Sequence, residues 1–490
     1  MDRINTKLPL IVVALMVGMI GLAHAETNPV VLPLGQPEYE FLYDHLERTD
    51  TYLGDRHDFQ LGPYSAGLIE PEFGPFAKWR TVGPKQLGVF AFGAEDVRAR
   101  RQTNSVAYES LRGGVVGRPF AKLAIYADFL LDEELADDPS YTGKKWHGFA
   151  GDVDQAFARY ETDVFALTAG RFASFWGPRR SLIIGSHQKL DGIMYTLKWG
   201  RVSISYRLNQ LDGVSNGEDS VATFEPRYFA AHRFDVHFAE NFRLGLFETV
   251  VFGGPGREVD FFYLNPLVFF HGSQLNKDYN DNTTVGLDFD YIPGPGVKLY
   301  GQWLVDDIQL DNKTRGDNEP NELALLLGCY WADVKEHLDL RFEYTAVTNW
   351  TFNQMFERNR YLNDGKPLGA VRGNDYDEVA LAAIYWWRYD FATRLNFGYV
   401  RQGEGRIDAP FTSPWSDVDN YAEPFPTGIV EKTFTASLRL QAFVHRMVYI
   451  DAEVGADIID NLDNIDGRGE TRSFIRVRLS VFGLSSLDLD

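Results

Sequence analysis

The chain has 490 residues, with 69 acidic against 48 basic side chains, a net charge of −21 and a single cysteine. An acidic balance without a basic footprint argues against a nucleic-acid partner, and one thiol builds neither a disulfide framework nor a cysteine-based metal site. Aromatic residues reach 14% and glycines number 45, yet mean hydropathy is only −0.25, a composition that suits strands with one greasy and one polar face.

The first 25 residues read as a secretory signal. Arg3 and Lys7 open it, Leu8 to Leu22 are apolar, and Ala23-His24-Ala25 is a small-residue cleavage site. Removing it leaves residues 26–490, with 46 basic and 68 acidic side chains. No later window approaches about 18 uninterrupted apolar residues, so no membrane-spanning helix is expected. The richest runs are 323–332 and 379–387, and Cys329 sits in the first as a small apolar residue. Residues 26–86 read as an N-terminal periplasmic plug segment, helical and irregular. Its one clear helix is Pro37 to Glu47, where Tyr39, Leu42, Tyr43 and Leu46 form an apolar stripe.

Residues 87–490 then repeat period-two segments, eighteen in all. The first nine lie near 87–97, 105–117, 119–131, 151–162, 164–173, 192–199, 201–211, 228–239 and 241–252. The second nine lie near 282–292, 296–306, 321–332, 337–348, 377–388, 391–401, 431–443, 447–459 and 471–482. Val202, Ile204, Tyr206 and Leu208 share one face, and Ser203, Ser205, Arg207 and Asn209 the other. Likewise Ile475, Val477, Leu479 and Val481 oppose Arg476, Arg478 and Ser480. Tight turns and long loops alternate between segments, the pattern of an outer-membrane barrel with short periplasmic turns and long extracellular loops. The predicted fold is therefore all-β: an 18-stranded antiparallel transmembrane β-barrel with a small helical plug and both termini periplasmic. Phe482 is followed by GLSSLDLD instead of ending the chain. Either the last strand runs further or insertion uses an internal signal.

Several stretches offer functional side chains. In the loop 173–192, Trp176 is a candidate for stacking on a sugar ring, and Arg179 and Arg180 for holding carboxylates or phosphates. The structural alternative is a Trp-Gly-Pro bend with arginines paired to lumen carboxylates. Arg98, Arg100 and Arg101 are a candidate rim for lipopolysaccharide phosphates, or a solvated cluster. Arg207, Arg233, Asp235, Asp288, Asp290, Arg341, Glu343, Arg394, Arg439, Arg476 and Arg478 are expected inside the barrel, as a charge ladder or a pore lining. The segment DFFYLNPLVFFH (260–271) falls in a long extracellular loop, where so large an aromatic patch needs cover. It is expected to fold into the barrel mouth as a lid, bent at Pro266, with Phe261, Phe262, Phe269 and Phe270 packed inside. A sugar-stacking floor of Tyr263, Asn265 and His271 is the alternative. No catalytic motif is present, DNLDNIDGRGE departs from calcium-loop spacing, and no cofactor is called for.

The ordered segments LPLGQPEYEFLYDHLE, AGRFASFWGPRRSLIIG, FETVVFGG, YLNPLVFFH, NDNTTVGLDFDY, LYGQWLVDD and PLGAVRGNDYDE resemble the capsule-assembly Wzi family of Gram-negative outer-membrane proteins. The resemblance implies an eighteen-stranded barrel closed on the periplasmic side by a helical bundle. It also implies a lectin-like role, with no turnover, in holding capsular polysaccharide or exopolysaccharide on the cell surface. Expected partners are that polymer, outer-membrane lipid, lipopolysaccharide and a polysaccharide exporter. An outer-membrane porin or sugar channel is the alternative. A hydrolase built on His187, His271 and loop carboxylates is a third reading.

Overall fold

A computed structural model describes residues 30–31, 33–53, 61–63, 82–100, 103–139, 141–215, 224–272, 280–308, 319–417 and 421–489. The signal segment, Arg101 and parts of the plug segment lie outside the described residues. The barrel strands are β1 (Gln86–Arg100), β2 (Thr103–Phe120), β3 (Leu123–Asp132), β4 (Phe149–Glu161), β5 (Phe165–Ala173) and β6 (Lys189–Trp199). There follow β7 (Val202–Ser215), β8 (Phe224–Ala239), β9 (Phe242–Gly253), β10 (Asn282–Gly294), β11 (Val297–Asp307) and β12 (Glu322–Lys335). The last six are β13 (Leu338–Val347), β14 (Tyr376–Arg388), β15 (Phe391–Gln402), β16 (Glu431–His445), β17 (Val448–Asp460) and β18 (Glu470–Asp488). Each pairs antiparallel with its chain neighbours, and β18 closes on β1 in register from Gln86↔Asp488 to Arg100↔Phe474.

The two faces of the wall differ as the alternation predicts. Val89, Leu111, Leu246, Leu381, Leu438 and Ile475 point outward and are exposed, whereas Arg233, Asp235 and Asp288 point inward and are buried. Near the short-turn end, Phe120, Trp199, Phe238, Trp331 and Trp387 are exposed on the outer surface, forming an aromatic girdle.

Two boundary differences matter. β18 runs six residues past Phe482, so most of GLSSLDLD belongs to the strand. Leu484 pairs with Phe90 and Asp488 with Gln86, because β1 starts early enough to give the end of the chain a partner. At the other end β1 extends to Arg100, and β2 begins at Thr103, earlier than expected. Arg98 and Arg100 therefore sit on a strand.

Helix α1 (Pro37–Leu53) runs past the predicted Glu47 and lies inside the barrel near the short turns. Phe41 packs against Trp386, Phe443 and Tyr449 with ring centroids 5.5, 5.8 and 6.1 Å away. Complete burial of one such ring contributes on the order of 2 kcal/mol. Gly296, in the β10–β11 turn, donates its N–H to the Thr51 carbonyl at 2.9 Å and accepts from Ala332 N at 2.7 Å. Its φ is +81°, and a Cβ there would stand 2.9 Å from the Ala332 oxygen, so the docking point needs glycine.

Candidate functional site

The loop between β5 and β6 turns into the lumen instead of out toward solvent. Trp176 is fully buried, beside Arg207, whose guanidinium lies 5.8 Å from the indole ring. Ser181 Oγ donates to the Trp176 carbonyl, and Gln302 fixes the same loop by accepting from Leu182 N at 2.6 Å. Gly177 has φ +88°, and a Cβ on it would be 2.3 Å from Gln302 Nε2. The following Leu182, Ile183 and Ile184 are fully buried. Trp176 is thus out of reach of any sugar. The reason is the apolar Leu-Ile-Ile run, which gains more by filling the barrel than by facing water.

The two arginines of that loop divide their work. Arg179 reaches α1 and pairs with Glu40 and Asp44. Arg180 pairs with Glu378 at 2.6 Å and Glu343 at 3.5 Å, and its side chain stays 42% exposed. Glu40, Asp44 and Glu47 form an acidic stripe on α1. Asp44 also takes Arg394, and Glu47 takes Arg341 at 2.7 Å and Lys298 at 3.2 Å. Burial pushes the Glu47 carboxyl up, but Arg341, Lys298 and Arg179 outweigh it and hold the carboxyl at about 2. Asp44 is likewise raised by burial and pulled further down by Arg394, Arg179 and Arg341, well below the usual carboxylate range.

The other expected lumen charges all face inward, and most pair. Arg233 bridges Asp235 and Asp288, which Arg243 also holds at 3.1 Å each. Asp290 meets Lys298 at 3.5 Å. Arg439 pairs with Asp451, while Arg476, Arg478 and Arg98 converge on Asp96. Arg207 differs. It bonds Asn209 Oδ1 and Ser174 Oγ at 2.7 Å each, and its remaining terminal nitrogen has no partner. Arg98 is further neutralised by Glu134 at 2.6 Å, which leaves it poorly placed for a lipid phosphate. Arg100 lies in β1, and its side chain, like Arg101, is outside the described residues.

Above the inward loop lie residues 348–375. Arg227 on β8 seizes this loop by its backbone, donating to the carbonyls of Arg358, Arg360 and Leu362 at 2.6, 2.7 and 2.9 Å. Tyr361 is fully buried and donates to the Ile183 carbonyl at 2.9 Å. Arg360 in turn donates to the carbonyls of Asp408 and Ala409 at 3.0 Å, tying on the loop 403–430. Among the described residues, three layers of loop and helix α1 thus occupy the lumen.

Among the described residues, two open clefts at the long-loop end carry polar side chains. One, of about 400 Å³, is lined by Asp281, Asn282, Asp306, Asp307, Glu319 and Glu322, with His271, Phe356 and Phe411 beside them. Glu322 Oε2 and Asn282 Oδ1 are buried acceptors without a donor. Among the described residues no group of carboxylates and histidines is arranged to hold a metal ion. What the cleft offers is hydrogen-bond acceptors next to aromatic faces. The second cleft, of about 480 Å³, is lined by Arg180, Val371, Arg372 and Gln402, and both arginines lean on Glu378. The acidic cleft is not legible in the sequence because its carboxylates come from three separate segments, at 281, 306–307 and 319–322. The α1 stripe was findable, since Glu40, Asp44 and Glu47 recur at helical spacing.

The segment 260–271 is not a lid. Tyr263 and Phe270 pack with Ala230, Val250 and Phe252. Those three share strand parity with exposed Leu246 and half-buried Phe234, so the segment lies on the outer wall over β7, β8 and β9. Tyr206, also outward, donates its hydroxyl to the Tyr263 carbonyl at 2.7 Å. Phe261 and Phe269 are exposed, Phe262 is half-buried, and Pro266 sits at the bend. Parity decides the outcome: the greasy ledge that receives the segment exists only outside. Tyr263, Asn265 and His271 do not converge either. Tyr263 is buried, exposed Asn265 caps Leu267 N at 3.1 Å, and His271 alone borders the acidic cleft.

The family model described as capsule assembly protein Wzi matches residues 99–472. Among solved structures, the chain is similar to Escherichia coli Wzi, an outer-membrane protein involved in group 1 capsule assembly and described as a carbohydrate-binding β-barrel. Identity is 13%, the match covers 92% of this chain and 99% of that one, and the TM-score is 0.58. It is also similar to the Pseudomonas aeruginosa outer membrane protein OpdK, at 10% identity, covering 83% of this chain and 100% of that one with a TM-score of 0.46. OccAB4 of Acinetobacter baumannii follows at 8% identity, 83% and 99% coverage and a TM-score of 0.46. None of the curated proteins matches this chain in sequence.

Proposed function

The chain belongs to the capsule-assembly Wzi family, and from that premise we propose that it binds and retains a capsular or exocellular polysaccharide at the surface of a Gram-negative cell. In this reading the barrel stands in the outer membrane with its short turns and both termini in the periplasm. Residues 26–86 serve as the plug segment, and the long loops face outward. The protein works by holding the polymer without turning it over.

The observation that carries the reading is a filled lumen beneath an open, acceptor-rich cleft. Sugar hydroxyls donate to carboxylate and amide oxygens, and the C–H faces of sugar rings pack on aromatic side chains. Glu322, Asn282, Asp306 and the flanking Phe356 and Phe411 supply both kinds of contact. The carboxyl groups that line this cleft favour neutral sugars over a polyanion. A uronate would be received at the Arg180–Arg372 corner instead.

Binding of the host's purified surface polysaccharide to the refolded barrel tests the reading. Glu322→Gln and Phe356→Ala should each weaken binding about tenfold, with Phe120→Ala on the outer wall as a neutral control. Unchanged affinity in both cleft variants would refute the site. In planar bilayers the barrel should pass no steady current, and sustained open currents would favour the porin reading.

A further inference from the structure

We infer that residues 260–271 form a clasp immersed in the acyl chains of the outer leaflet, an in-plane lipid anchor on the outer wall of the barrel. This inference is independent of what the long-loop end binds. Its first support is depth. An apolar band about 25 Å tall crossed by strands tilted about 40° takes roughly ten residues of strand. Counting ten residues from the girdle, from Phe238 up β8 and from Phe242 up β9, reaches Tyr228 and Phe252. These are the upper residues on which the clasp packs, and it extends down to His232 and Glu248. On this side of the barrel the clasp therefore occupies the upper half of the band that Leu246 presents bare.

Its second support is hydrogen bonding. Irregular backbone facing lipid is excluded unless its polar groups are satisfied internally. In this clasp every N–H from Phe262 to His271, other than that of Phe269, donates to a protein oxygen, and Pro266 has none to donate. Phe262 and Leu267 use the Asp260 and Asn265 side chains at 2.9 and 3.1 Å. Tyr263, Leu264, Asn265 and Val268 close turns onto residues 260, 261, 262 and 265 at 3.0–3.2 Å. Phe270 and His271 donate to Glu248 at 2.7 and 2.6 Å. A water-facing loop has no need of so complete a pairing.

Its third support is the exchange of cover. Glu248 and His232 have outward parity at membrane depth, 3.1 Å apart, where a bare charge is costly. The Phe270 ring, 4.4 Å from the His232 ring, and the clasp backbone hide them. In return the clasp presents Phe261, Leu267 and Phe269, 67%, 72% and 58% exposed, to the surroundings of the wall. Apart from exposed Asn265, whose side-chain oxygen is engaged by Leu267 N at 3.1 Å, that surface continues the lipid-facing band, which is why acyl chains fit it.

The test is spin-label accessibility on the full-length refolded barrel in phosphatidylcholine vesicles. Leu267→Cys, with Phe269→Cys as a second site, carries the label in a Cys329→Ser background. Leu246→Cys is the lipid reference and Val371→Cys the aqueous one. At both clasp sites oxygen should broaden the signal several-fold more than a water-soluble nickel chelate does, as at residue 246. Access to the nickel chelate equal to that at residue 371 would overturn the inference. So would dipolar broadening that disappears on dilution with unlabelled barrel, since the clasp would then be covered by a second copy.

Discussion

Replacing Glu47 by Gln should loosen the helix inside the barrel without unfolding the wall. Glu47 holds Arg341 and Lys298, and the three side chains are only 7–13% exposed. Its carboxyl lies at about 2, against 4.5 for an unperturbed group. At 1.36 kcal/mol per unit, that shift amounts to about 3 kcal/mol of ion-pair stabilisation. Removing one partner of a buried pair costs a similar amount, about 3–5 kcal/mol. The readout is hydrogen exchange of the α1 amides in the refolded barrel. Three kcal/mol corresponds to roughly a hundredfold faster exchange in residues 41–53, with wall amides unchanged. The native protein should mimic the variant in acid. Because the folded pKa lies below the unfolded one, the stabilisation is complete above about pH 4.5 and fades as pH falls toward 2. Exchange that changes less than threefold in E47Q at neutral pH would refute the reasoning.

Other outcomes follow from the same packing. Trp176→Ala empties the space beside Arg207 and should destabilise the barrel by about 3–5 kcal/mol, read as a lower urea midpoint in detergent. Trp176→Phe should keep polymer binding at the native level, because the ring never meets sugar. Gly177→Ala forces the loop off Gln302 and should raise proteolysis of residues 174–188, whereas substituting the uncrowded Gly148 should not. Arg233→Met leaves Asp235 and Asp288 with Arg243 as their remaining cation and should cost about 3–5 kcal/mol by the same urea assay. A loss under 1 kcal/mol would mean that the cluster is hydrated.

The wall was legible because lipid outside and charge inside impose a period of two on every strand, as from Val202 to Asn209. Turn and loop lengths then gave the number and order of the strands. The interior was less legible. WGPRRSLIIG carries no periodicity that says whether it points in or out, and the partners of Arg341 and Arg394 lie 294 and 350 residues away on α1. For DFFYLNPLVFFH, the composition demanded cover but did not say on which side of the wall. The decisive signal was a charge at outward parity: Glu248 stands between Leu246 and Val250 on the greasy face, where something must hide it. The tail after Phe482 read poorly because its serines and aspartates weaken the alternation that Leu484 and Leu487 continue.

The central claim is retention of a polymer by the outward face of a plugged barrel. It is tested most directly by the fraction of surface polysaccharide that stays with the cells in a strain lacking this protein. The account predicts normal synthesis, with most of the polymer shed into the medium. It also predicts restoration by the native chain and failure of restoration by a chain carrying Glu322→Gln and Phe356→Ala together. A deletion strain that keeps its polymer bound at the parental level would contradict it.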